Sequence, residues 1–252
     1  MSASTLWKDL LHRYPPMTIE FFINSTIQLV CFWLVSAIYI FLPYFTPAFS
    51  ARHKLQKQEK QPTAAEIWEC FLVVFRNQVL SSSAQLGMIL LDAKPPPHRF
   101  DVILPGPAEI ARGAILCVFL REIIFYYVHR LLHQPFLYPT VHKPHHRFTA
   151  PVALAAQYAT VTEHILANIL PLALPPQILK CHAITSWVFL AFSLLETTTV
   201  HSGYDFFSGS ARMHDLHHEK FVVCFGTVGL MDWLHKTGGK SVEDRRLQAK
   251  IQ

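Results

Sequence analysis

Residues 129–146 read HRLLHQPFLYPTVHKPHH, and five of these positions are histidine. The spacing is regular: His129 and His133 stand at i and i+4, and His142, His145 and His146 at i, i+3 and i+4. Downstream, HDLHH repeats the triplet at His214, His217 and His218. On a helix, residues three and four apart share a face with Cβ atoms about 5–6 Å apart, so each cluster can aim its imidazoles at one point. A single such pair arises by accident on amphipathic helices; three clusters between His129 and His218 are a different matter. Eight protonatable rings packed together without a cation would repel one another. Eight imidazoles suffice for two metals at about four ligands each, with room left for exogenous oxygen. Imidazole suits Fe, Zn, Cu and Ni alike, so ligand type alone does not choose the metal. The lone His12, His53, His98, His182 and His235 read as ordinary surface or loop residues, and Asp215, out of phase with His214 and His218, reads as pointing away.

Outward from the histidines the chain is greasy. It has 252 residues, enough for one sizeable domain, and is 51% hydrophobic but only 15% charged, against about 25% charged in typical soluble domains. Mean hydropathy is +0.25. A net charge of +5 would suit a nucleic-acid binder, yet the Lys and Arg residues are scattered or flank apolar blocks, as juxtamembrane charges do. Nucleic-acid binding is therefore excluded. Cys31, Cys70, Cys117, Cys181 and Cys224 lie far apart with no CxxC pair, which argues against a disulfide scaffold or a zinc ribbon.

The blocks suggest a topology. The opening MSASTLWKDLLHRYPP lacks the pattern of a cleaved signal peptide. Phe21 to Phe45 is a long apolar block without a charged side chain and, at the roughly 20 residues needed to cross a bilayer, reads as a full span ended by Pro43 and Pro47. The basic stretch Arg52–Lys60 after it is expected to be cytosolic by the positive-inside bias. Ile67 to Leu91 carries Arg76, Asn77 and Gln78 midway, and reads either as a span with its polar side turned inward or as an interfacial helix. Glu109 to Val128 leads into the first histidine pair. Ile165–Leu179 and Ala183–Val200 read as a helical hairpin, kinked by Pro171, Pro175 and Pro176. The two triplets flank that hairpin, so an even number of crossings returns both to one face. The expected fold is all-α: a polytopic membrane helical bundle with a cytosolic, histidine-rich metal-binding cap. Its parts are an N-terminal anchor region (1–108), a catalytic domain (109–237) and a polar C-terminal tail (238–252).

With these motifs in place, the sequence resembles the fatty acid hydroxylase superfamily, and within it the sterol-modifying branch of sterol 4-methyl oxidases and sterol desaturases. The signature HxxxH, HxxHH, HxxHH is present in order, and REIIFYYVHRLLHQPFLYPTVHKPHHRFTAPVALAAQYA, EHILANILP, HSGYDF and HDLHHEKF continue the likeness from Arg121 to Trp233. The resemblance implies an endoplasmic-reticulum membrane enzyme using two Fe ions, O2 and electrons from NAD(P)H through cytochrome b5 or a reductase. It implies His129, His133, His142, His145, His146, His214, His217 and His218 as metal ligands. His201, in HSGYDF, matches a family histidine and is a candidate further ligand. Glu163 reads either as a carboxylate orienting a ligating histidine or as a helix-end charge. Two departures stand out: Thr160 occupies a position where the family often has histidine, and Trp233 is followed by Leu234-His235-Lys236-Thr237 rather than by an aromatic and Gly-Thr.

A di-iron site bound by neutral nitrogen supports O2-dependent attack on unactivated C–H bonds, chemistry no side chain performs. The expected reaction is hydroxylation, or oxidation of a methyl group, of a sterol, terpenoid or related lipid. Desaturation of a lipid or secondary metabolite by the same family is the alternative, and a non-enzymatic zinc-binding membrane protein the rival from another class. The chain has no GxGxxG and no flavin or haem signature, so electrons are expected from a separate protein. Lys143, Arg147 and Lys220, near the clusters, offer basic charge to an acidic carrier.

Overall fold

Helices form wherever the long apolar blocks run. The computed structural model describes residues 2–56, 60–92, 98–206 and 209–240, and no strand occurs among them. Helix α1 (Ala3–Arg13) starts at Ser2, whose hydroxyl accepts from the Thr5 amide at 3.2 Å. Its buried Trp7 packs on Phe100, His182 and Trp187 and donates Nε1–H to the Asp101 carbonyl. Helix α2 (Pro16–Phe45) runs 30 residues and passes through a π-helical segment, Gln28–Leu34. Pro43 does not end it, contrary to the sequence expectation. A proline this near the C-terminus removes one amide donor but leaves the final turn free to close, Thr46 N–H reaching Leu42 O at 2.8 Å. The break falls at Thr46, and Pro47 opens α3 (Pro47–His53).

Helix α4 (Ala64–Leu90) begins with a capping box between Thr63 and Glu66. It buries Cys70, Val74 and Asn77 while Trp68, Leu72, Phe75 and Val79 stay exposed. Of its mid-block polar residues Asn77 turns inward, its Nδ2 donating to the Ala159 carbonyl at 2.9 Å, while the exposed Arg76 donates from Nη2 to Asn77 Oδ1 at 2.9 Å. Pro107 occupies the first turn of α5 (Pro107–Leu132), where its missing N–H costs nothing. Helix α6 comprises Val161–Glu163, the π segment His164–Ile169 and Leu170–Ile178, and α7 is Ala183–Val200. The expected hairpin is thus present. Cys117, Cys181 and Phe189 pack where α5 meets it, and Phe32, Val74, Leu154 and Leu194 form the core between α2, α4 and α7. All five cysteines are free. Short helices α8 (Ser210–Lys220) and α9 (Leu230–His235) complete the described chain.

Among the described residues, two helices, α2 and α7, are long and apolar enough to cross a membrane. Both leave large apolar side chains uncovered, Leu29, Ile38 and Phe41 on one and Val188, Phe192 and Leu195 on the other. Helix α5 adds Ile115, Phe119 and Ile123 at i, i+4, i+8. The hairpin sends the start of α6 and the end of α7 to one end of the bundle, where α5 also finishes. The histidines assemble there. Of the tail expected over 238–252, residues 241–252 lie outside the described residues.

Candidate metal centre

All eight clustered histidines meet at this end, and His201 joins them, in two adjoining groups. The first holds His129, His133, His142, His146 and His217; the second holds His145, His201, His214 and His218. Each triplet is therefore divided. On α8, His214 and His218 share one direction, whereas His217 sits about 100° round the helix from His218 and enters the other group. The first triplet divides the same way without being α-helical: His142 ends a π turn, His145 and His146 lie in a 3-10 turn, and His145 alone faces the second group.

The rings are held from behind. Nδ1–H of His129 donates to the Phe225 carbonyl (2.8 Å), that of His217 to Val223 (2.7 Å), that of His145 to Tyr158 (3.2 Å) and that of His201 to Thr197 (2.8 Å). A carbonyl only accepts, so the proton is assigned to Nδ1 in each ring and the Nε2 lone pair is free. His142 Nδ1 faces the Glu163 carboxyl at 2.6 Å. Burial keeps the rings neutral: alone it lowers His145 to about 4, and reinforced by neighbouring imidazoles it lowers His201 to about 3 and His133 to about 2 and holds His129, His214, His217 and His218 well below the usual histidine range.

Fit to a cation follows from what these lone pairs face. His129 and His142 Nε2 are 3.1 Å apart, His133 and His217 3.2 Å, and His142 and His146 3.0 Å. In the second group His214 Nε2 is 2.8 Å from His201 Nε2 and 2.9 Å from His218 Nε2. Lone pairs opposed at such distances repel unless a cation lies between them. Nitrogens sharing one metal at about 2.0–2.1 Å stand about 3 Å apart when their bonds are at right angles. His146 Nδ1 and His218 Nδ1 are buried without a hydrogen-bond partner among the described residues, so nothing behind those rings opposes metal binding in front. The nine imidazoles thus suit two divalent transition metals.

The loops behind the rings are built on residues that the sequence did not single out. Glu122, fully buried on α5, accepts from the Thr227, Val228 and Met231 amides and from the Thr227 hydroxyl. Asp232 accepts from the Phe225 and Gly226 amides and the Thr237 hydroxyl. Together they fix the 222–231 loop that offers the Val223 and Phe225 carbonyls. A Cβ at Gly226 would lie 2.5 Å from Glu122 Oε1 and 2.9 Å from Asp232 Oδ2, so only glycine fits between the two carboxylates. The HSGYDF turn is held from α3. Lys54 Nζ donates to the Ser202 carbonyl (2.9 Å), and burial brings this lysine down to about 8. Read as part of a basic cytosolic loop, Lys54 in fact turns inward because Gly203, at φ +76°, opens a place for its side chain.

Thr160, at the position where the family often has histidine, caps α6: its hydroxyl accepts from the Glu163 amide (3.2 Å) and donates to the Val141 carbonyl (3.0 Å). It thereby positions Glu163 against His142. Burial pushes the Glu163 carboxyl up, and positive charge on the far side of His142 would counter that push. Glu163→Ala is expected to weaken metal affinity about 10–100-fold in a chelator-competition titration. Asp215→Asn should leave it unchanged, because Asp215 turns away toward Gln56 (2.8 Å).

Two lone histidines prove to be interior residues rather than surface ones. His182 is 1% exposed and caps α7 by accepting from the Ile184 amide, and the His98 ring is buried against Glu20. His164 stays out of both groups, meeting Ser81 Oγ and Asn168 Nδ2. Of the basic residues near the clusters, Arg147 pairs with Glu69 and Lys220 with Glu219. Beside His201 and His214 lies a chamber of about 50 Å³ bordered by Phe125, Ala167 and the Arg121–Glu196 ion pair (2.8 Å). The residues after Trp233 close back on α5, His235 Nε2 lying 3.1 Å from the Tyr127 hydroxyl.

The fatty acid hydroxylase family model matches residues 114–237. Fatty acid hydroxylase domain-containing protein 2 of Homo sapiens is 32% identical over 240 residues, covering 92% of this chain and 71% of the relative. Methylsterol monooxygenase 1 of Danio rerio is 29% identical over 240 residues, covering 88% and 78%. A very-long-chain aldehyde decarbonylase of Oryza sativa is 29% identical over 232 residues, covering 86% and 75%. No solved structure matches the chain.

Proposed function

This chain belongs to the fatty acid hydroxylase family, and from that premise we propose that it is a membrane-bound di-iron oxygenase that hydroxylates a sterol or related lipid. The observation that carries the reading is the pair of histidine groups that converge beside a small chamber. Two irons bound there supply the reduction of O2 that makes an unactivated C–H bond reactive. His129, His133, His142, His146 and His217 hold one, and His145, His201, His214 and His218 the other. The surrounding protein orients the rings: the Phe225, Val223, Tyr158 and Thr197 carbonyls keep the proton of His129, His217, His145 and His201 on Nδ1, so the Nε2 of those four rings stays available. Phe125, Ala167 and Leu194 give the chamber an apolar side that would face a lipid substrate. The sterol assignment is supported by relatives named methylsterol monooxygenases.

Conversion of R–H and O2 to R–OH and water consumes two electrons and two protons. The electrons come from NAD(P)H through cytochrome b5 or its reductase, docking on the face that carries Lys143, and the protons come from water. Multi-pass insertion in the endoplasmic-reticulum membrane, with the histidines cytosolic, agrees with the uncovered apolar faces of α2, α5 and α7. Microsomes containing the protein, given NADH, a sterol and labelled O2, are expected to yield a labelled alcohol. An unlabelled alkene would assign desaturation instead, and equal oxidation under nitrogen would end the oxygenase reading.

A further inference from the structure

A cavity of about 540 Å³ lies between α2, α4, α6 and α7 and adjoins the inner chamber, the two sharing Gln157, Asn168, Leu172 and Leu194. At that junction Gln28 Nε2 donates to Gln157 Oε1 at 2.9 Å. The far end is polar. Glu20 Oε1 and His98 Nδ1 pair at 3.2 Å with side chains 15% and 6% exposed. Their other atoms, Glu20 Oε2 and His98 Nε2, are buried with no partner among the described residues, although both residues line the cavity. Unsatisfied buried polar atoms are costly, and a ligand reaching this end would relieve both.

The helices measure how far this end lies from the histidines. Glu20 and Gln28 are separated by about 12 Å along α2, at roughly 1.5 Å per residue. On α7, Trp187 lines the outer cavity, Leu194 both spaces and His201 the inner chamber; those fourteen steps amount to about 20 Å.

Resting on the function proposed above, we propose that Glu20 and His98 bind the hydroxyl group of the substrate, and that oxidation falls at the opposite end of the molecule. The chemistry of the pair selects the group. In its ion-paired form, His98 Nε2–H donates and Glu20 Oε2 accepts, and a hydroxyl meets both because it accepts and donates at once. A carboxylate brings no proton to Glu20 Oε2 and would leave that oxygen unpaired, so the pair suits a hydroxyl better than a free fatty acid. A monohydroxy sterol fits, with its ring hydroxyl at Glu20 and its side chain at His201. A ring carbon next to the hydroxyl would then lie beside Glu20, out of reach of the histidine groups.

The test uses the iron-loaded full chain in detergent with cholesterol and its deoxy analogue, cholestene, as probes. The protein should bind cholesterol at least 10-fold more tightly than cholestene. Glu20→Ala and His98→Ala should erase that preference at unchanged iron content; if Glu20→Ala loses iron, Glu20→Gln is read in its place. Given reductant and O2, the new oxygen should appear in the sterol side chain by mass spectrometry. Equal binding of the two probes, a preference that survives the substitutions, or oxygen on a ring carbon beside the hydroxyl would each overturn the proposal while leaving the oxygenase reading intact. A hydroxyl preference that depends on Glu20, without any O2-dependent oxidation, would support this site and overturn the oxygenase reading.

Discussion

Replacing His217 by alanine is expected to reduce lipid oxidation to background and to remove about half of the bound metal. His217 is fully buried, is fixed from behind by the Val223 carbonyl, and brings its Nε2 within 3.2 Å of both His133 and His146. It is the only residue that α8 contributes to the five-histidine group, its neighbours His214 and His218 serving the other. The metal of the five-histidine group should be lost while that of the four-histidine group is retained. His201→Ala should do the reverse, because His201 completes the second group and lies 2.8 Å from His214. Metal analysis alongside turnover checks both. A His217→Ala variant that released both metals equally would contradict the division of the triplets.

The largest loss of stability is expected from Glu122→Ala. The carboxylate accepts four hydrogen bonds, at 2.7, 2.9, 2.9 and 3.0 Å, from a loop 105–109 residues distant in sequence. Truncation leaves the buried Met231 amide unpaired at about 1–3 kcal/mol and three part-buried donors unpaired at less each, so the total is on the order of 3–4 kcal/mol, beyond what most single substitutions cost. The same loop carries the Val223 and Phe225 carbonyls that align His217 and His129, so iron should be lost from the five-histidine group as the fold weakens. A thermal-shift series in detergent, read beside iron content, checks this. Glu122→Gln should lose less, since its amide oxygen still accepts from part of the loop. An unchanged melting temperature for Glu122→Ala would show that the loop does not depend on this carboxylate.

The sequence made the helices and the histidine clusters legible because both are periodic signals. Apolar blocks of span length mark α2 and α7, and i, i+3, i+4 spacing marks the rings. It did not reveal how the triplets divide, because spacing says which residues lie near one another but not which of two neighbouring points each one faces. His201 was readable only through resemblance, since one histidine after a long apolar helix has no local pattern. Glu122, inside REIIFYY, looked like an interruption of an apolar helix. Its role depends on a loop more than 100 residues away, which no local window contains. Thr160 shows the converse: at a position noted as a departure from the family pattern, the structure has a helix cap positioning Glu163. The burial of His98 and His182, read as surface or loop residues, was not legible for one reason. Polar residues in short connecting segments look exposed until tertiary packing supplies carbonyl and carboxylate partners.

The most direct test of a two-metal centre is the metal content of the chain purified in detergent from cells supplied with both iron and zinc. Two irons per chain are predicted, falling to about one in both His217→Ala and His201→Ala. One metal per chain, or stoichiometric zinc in place of iron, would contradict the account.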